Sequence, residues 1–134
     1  MRLPAAALMS AIMLAPLAAL AAPGDPAPSA QAWLTLIDHG RYGESWTASG
    51  TIFRGRITKA RWALMVAQVR TPLGAVVSRT FTGDEPSNAL PGAPDGAYDQ
   101  IHFSTVFAHK QSSIETVVMA KEPGGWRVDG YFIR

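Results

Sequence analysis

The chain has 134 residues, with 12 Lys and Arg against 10 Asp and Glu, a formal charge of +2, and no cysteine. That length supports one domain with a core of its own, and the missing cysteines exclude a disulfide framework, a cysteine-based metal site and a lipidated cysteine. The near-neutral balance lacks the basic excess that counterion release on nucleic acid requires, so no nucleic-acid partner is expected.

Arg2 precedes an uncharged Ala- and Leu-rich run from Leu3 to Ala22, closed by Ala19-Leu20-Ala21 and followed by Pro23, Gly24 and Pro26. This is the layout of a secretory signal peptide at 1–21, cut after Ala21, with 22–28 a flexible lead-in and 29–134 one domain; the competing reading is an uncleaved signal anchor, which Pro16 and the many alanines weaken as a permanent helix. Export implies a periplasmic or secreted protein with no membrane span after cleavage. Loss of Arg2 lowers the charge to about +1.

Ser29 is placed to cap a first helix with Trp33, Leu34 and Ile37 at helical spacing, and Gly40 ends it. A second segment sets Tyr42 and Trp46 four apart and closes at Gly50. Thr58 caps a third helix, with Ile57 and Trp62 forming a hydrophobic staple. Its stripe of Trp62, Met65, Val66 and Val69 should bury while Lys59, Arg61, Gln68 and Arg70 stay wet. Between Glu44 and Asp84 there is no acid, yet six basic residues fall there, so weak binding to an anionic surface is one reading and a solvated face the other.

Pro72 is expected to stop that helix, and Leu73 to Thr82 to form a strand with Leu73, Ala75, Val77, Arg79 and Phe81 on one side. A turn-rich connection, 83–97, leads to three alternating runs from Tyr98 to Arg134 that read as a meander. Helices first and strands second predict an α+β fold, with N-terminal helices packed on a mainly antiparallel four-stranded sheet. With a turn at His109-Lys110-Gln111-Ser112, Phe107 faces Ile114, Thr105 faces Thr116 and Phe103 faces Val118. The opposite face then gathers His102, Ser104, Glu115, Asp129 and Tyr131, a set able to do acid–base chemistry or simply to face water.

Arg79, Thr105, Thr116 and Tyr42 are the candidate pocket between helices and sheet; Glu115, His102, Asp129 and Tyr131 are the candidate polar sheet face. On this parity Arg79 and Glu115 point to opposite sides and meet only if a bulge flips one strand; otherwise Arg79 reaches Asp38 or Glu44. His39, His102 and His109 lack ligand spacing, so neither metal nor cofactor is expected. No nucleophile elbow, phosphate-cradling loop or dinucleotide fingerprint occurs.

Trp33-Leu34 with Ile37-Asp38-His39-Gly40, Tyr42, Ser45-Trp46, Pro72-Leu73-Gly74 with Ser78-Arg79, the run Leu90 to Tyr98, Glu115-Thr116-Val117, and Gly125-Trp126-Arg127-Val128 with Gly130-Tyr131-Phe132-Ile133 together resemble the bacterial family called domain of unknown function 4019. His109 stands where that pattern has asparagine. The resemblance implies an exported protein of unassigned function, and its plan is similar to the NTF2-like or cystatin-like cone, an analogy of fold alone. Two functions follow. The leading one is a non-catalytic module binding a small ligand or an envelope protein in a pocket between helices and sheet; the other is a small enzyme using the ionisable residues of the sheet.

Overall fold

The structure is a computed structural model that describes residues 25–134, so the signal-peptide reading lies outside the described residues. Four helices come first, α1 (Pro26–Asp38), α2 (Tyr42–Ala48), α3 (Thr51–Arg56) and α4 (Lys59–Leu73), followed by strands β1 (Val76–Ser87), β2 (Tyr98–Phe107), β3 (Lys110–Glu122) and β4 (Gly125–Ile133). The strands form one antiparallel meander in the order β1-β2-β3-β4. This is the expected α+β fold.

Helix α1 starts earlier than Ser29 suggests. Asp25 is the cap, its carboxylate accepting from the Ala27 amide at 3.2 Å, and Pro26 opens the first turn where a missing N–H costs nothing. Ala30, Trp33, Leu34 and Ile37 form its buried stripe. Gly40 turns the chain at φ 70°, a conformation that favours glycine. Gly50, read as a stop, also starts the unforeseen short helix α3. Thr58 caps α4 as expected, accepting from the Arg61 amide at 3.3 Å. Pro72 is tolerated in the last turn of α4, so the strand begins at Val76 and not at Leu73; it also runs past Thr82 to Ser87, through the start of the expected 83–97 connection, and a bulge at Val77 turns that side chain outward, away from the side of Arg79.

Side chains of α1, with Phe53, Trp62 and Val66, meet Ile101, Phe103, Val117, Met119 and Val128 in a single core on one sheet face. Met65 and Val69 depart from expectation: they are 45 % and 51 % exposed, and Arg70 takes the inward place instead. Positions 62, 66 and 70 recur every four residues, so the buried edge of α4 is Trp62, Val66 and Arg70.

The largest correction concerns the β2–β3 register. The chain reverses at Ala108-His109, not at 109–112, so Thr105 pairs with Ser113 and Phe103 with Glu115. A slip of three positions is odd, and an odd slip turns every β3 side chain to the other face. The tight turn is pinned by backbone bonds from Ala108 to the Ala75 carbonyl at 2.8 Å and from His109 to the Leu73 carbonyl at 2.9 Å. Close approach there requires Gly74, at φ 75°, whose added Cβ would sit 2.8 Å from the His109 ring. A bulge in β4, opposite Val118 and Met119, leaves Asp129 unpaired and brings Tyr131 to the same face as Val128.

Candidate functional site

The corrected register assembles a group that the parity argument had separated. Glu115 is fully buried beneath α1, beside Thr105 and one strand from Arg79. Arg79 donates through Nε to Glu115 Oε1 at 2.7 Å, and its two terminal nitrogens grip Asp38 at 2.7 and 2.9 Å. Arg70 donates to the same Asp38 at 2.9 Å and lies 5.0 Å over the Phe107 ring. Thr105 donates to Glu115 Oε1 at 2.5 Å, and the Tyr131 hydroxyl donates to Glu115 Oε2.

Two guanidiniums thus face two carboxylates, and the cluster carries no net charge. Burial pushes the Asp38 carboxyl up, but the hydrogen bonds and charges of Arg79 and Arg70 outweigh it and hold it below the usual carboxylate range. The Arg79 guanidinium, although desolvated, is held charged more firmly than usual by Asp38 and Glu115. Burial and then the Glu115 charge raise the Tyr131 phenol, so Tyr131 stays a donor. Its ring is set by an edge-on contact with Trp33 at 5.4 Å. Trp33 in turn is fixed by its indole N–H donating to the Ser45 carbonyl and Ser49 hydroxyl, both at 3.0 Å. Every terminal nitrogen of Arg79 is committed and both Glu115 oxygens are occupied, so the carboxylates offer no spare acid or base; Arg70, paired only through one terminal nitrogen, keeps Nε and Nη1 buried without a hydrogen-bond partner.

The expected pocket set is divided accordingly. Arg79 and Thr105 are in the cluster, Tyr42 packs at the edge of the core from α2, and Thr116 lies on the opposite sheet face. The expected polar face is divided too. Glu115 and Tyr131 belong to the cluster, because of the register shift and the β4 bulge respectively. His102 stays outside, touching Thr116 Oγ1 at 3.0 Å and Glu85 Oε2 at 3.3 Å. Thr116, His102 and Glu85 follow the order of nucleophile, base and acid, but Glu85 is 69 % exposed and its pairing is screened by water. They edge a shallow, mixed concavity of about 840 Å³ on the bare sheet face. Asp129 lies under α3, its carboxyl raised by burial; Gly50 is required beside it, since an added Cβ would collide with Asp129 Oδ1.

Arg70 was missed as a member of the cluster because its charge argued for solvent; its spacing from Trp62 and Val66 was the available signal. A second feature was also unforeseen in position. Met65, Val66 and Val69 of α4, with Trp62, form one wall of a cleft of about 260 Å³, and Tyr131, Phe132 and Ile133 form the other. Both rims are apolar and open, with Phe132 58 % exposed. Among the described residues no three His, Asp or Glu are grouped to hold a metal, and no helix is long and apolar enough to cross a membrane.

Residues 29–131 match the family model described as a protein of unknown function, DUF4019. The comparison with curated proteins finds no match.

Proposed function

Since the chain belongs to the DUF4019 family, whose description assigns no activity, its function must be argued from its own geometry, and we propose a non-catalytic binding module of the cell envelope that works through the α4–β4 cleft. The supporting observation is a contrast. The carboxylates of the ionisable constellation are taken up by its own arginines, Thr105 and Tyr131, whereas the apolar cleft beside it is open, with Met65, Val69 and Phe132 exposed on its rims. Large apolar side chains grouped in this way mark recognition surfaces. A volume of about 260 Å³ suits one apolar group, such as a branched side chain or the end of an acyl chain, with shape as the main source of selectivity. Export is supported by the apolar run from Leu3 to Ala22 and by Ala19-Leu20-Ala21.

Titration of the protein with the uncharged dye N-phenyl-1-naphthylamine tests the reading. Saturable enhancement of the dye is expected, and it should be lost in Met65→Asp and Val69→Asp. These exposed substitutions should move stability by no more than about 0.5 kcal/mol. No binding by the native protein, or equal binding by both variants, would refute the cleft.

A further inference from the structure

Helix α4 carries a second pattern on the side turned away from the core. Arg61, Leu64, Met65 and Gln68 stand at i, i+3, i+4 and i+7, so they share one stripe, and all four are exposed. Leu64 at 62 % is among the most exposed large apolar residues of the protein. The N-terminal end of this stripe is flanked by Lys59 and, from α3, by Arg54 and Arg56, all exposed. Arg56 is partly engaged, donating to the Gly92 carbonyl at 2.5 Å. Among the described residues, no carboxylate lies within salt-bridge distance of Arg54, Arg56, Lys59 or Arg61. The nearby acids turn elsewhere: Glu122 accepts from the Thr51 amide, Asp129 is buried under α3, and Glu44 faces Arg41.

We infer that this face docks on an anionic phospholipid bilayer, with Arg54, Lys59 and Arg61 at the headgroups and Leu64, Met65 and Val69 entering the interface. The inference rests on the binding role given to α4 above and names the partner of that element. Charge complementarity selects this occupant: an uncompensated basic group beside aliphatic side chains needs a surface that is both negative and apolar just beneath. A nucleic acid would meet the charges but leave the aliphatic stripe in water, and no exposed aromatic on α4 could stack with a base. An uncharged protein groove would meet the stripe but strand the charges.

Co-sedimentation of the purified protein with phosphatidylglycerol–phosphatidylcholine vesicles tests the proposal, with pure phosphatidylcholine vesicles as reference. Retention on the anionic vesicles in low salt is expected, falling steeply as salt is raised, and absent on phosphatidylcholine. Removing one basic side chain near such a surface should reduce partitioning about fivefold. Arg54→Gln and Arg61→Gln should each do so, while Lys110→Gln, at the far end of the sheet, should not. Leu64→Ser should lower retention at every salt concentration. Salt dependence of the native protein needs no variant, so a misfolded variant cannot obscure the outcome. Failure of the native protein to bind, equal binding to neutral vesicles, or retention by soluble polyglutamate in place of vesicles would overturn the proposal. Dye binding without vesicle retention would overturn the membrane partner alone; vesicle retention without dye binding would overturn the cleft and leave the charged face standing.

Discussion

Replacing Glu115 by Gln should destabilise the protein severely while hardly changing its shape. The carboxylate is fully buried and accepts from Arg79, Thr105 and Tyr131. An amide fits the space, and its oxygen can keep the bonds from Arg79 Nε and Thr105, while the Tyr131 hydroxyl can rotate to accept from its NH₂. What it cannot keep is the charge, or the 3.3 Å bond that Arg79 Nη2 donates to the second carboxylate oxygen. Arg70 and Arg79 would then share Asp38 alone, leaving one buried positive charge in excess. Breaking a buried pair from one side costs roughly 3 to 5 kcal/mol. That is a large part of the roughly 5 to 15 kcal/mol that holds a small domain together. In urea, with a slope of about 2 kcal/mol/M, the tryptophan-fluorescence midpoint should fall by about 2 M at unchanged slope. Adding Arg79→Met should recover at least half of the loss, because Arg70 and Asp38 then balance. A fall of less than about 1 kcal/mol for Glu115→Gln, or a double variant as unstable as the sum of its singles, would refute the closed-cluster account.

Trp62→Ala should cost roughly 3 to 5 kcal/mol in the same urea assay, since it removes a buried ring packed on Phe53 and Trp33 and leaves Ser45 without its indole donor. Gly74→Ala should cost about 1 to 3 kcal/mol by forcing a side chain into positive φ against His109, a loss readable as a lower thermal midpoint. Asp99 is buried beside Asp84, and its pKa is raised to about 6, by burial first and then by that neighbour. Its folded pKa lies above its unfolded one, so the folded state binds the extra proton, and stability should rise as pH falls from 7 toward 4.5. Asp99→Asn should flatten that part of the stability–pH curve; an unchanged slope would remove Asp99 as its source. His102→Ala should change stability by less than about 0.5 kcal/mol, as expected for a water-screened contact with an exposed carboxylate on the open face.

Local signals carried most of the fold. Thr58, Gly40, the α1 stripe and the alternating runs of the meander depend on neighbours a few residues away, and those elements stand where the sequence placed them. The β2–β3 register does not, because it is decided by backbone bonds from the turn to Leu73 and Ala75, more than thirty positions distant in the chain. Both Ile114 and Glu115 were available as the inward residue of β3, and hydrophobicity favoured Ile114. Tertiary structure reversed that choice: Ile114 is 53 % exposed, and the cost of burying Glu115 is offset by Arg79, Thr105 and Tyr131. The bulge at Asp129 likewise rests on contact with α3, a helix of six residues with no side-chain cap to announce it. Arg79 points inward with Phe81, as the alternation of β1 predicts, and Asp38 is within its reach, but the same alternation fails at Val77, where a bulge turns the side chain outward.

The division between a charge cluster that holds the fold and a cleft that binds is tested most directly by an NMR map of the protein titrated with N-phenyl-1-naphthylamine. Shifts should concentrate at Met65, Val66, Val69 and residues 131–133, reaching the cluster no further than the Glu115 partner of Tyr131, with Thr105, Asp38 and His102 unmoved. Shifts centred on His102 and Thr116, or on Thr105 and Asp38, with the α4–β4 residues silent, would contradict it.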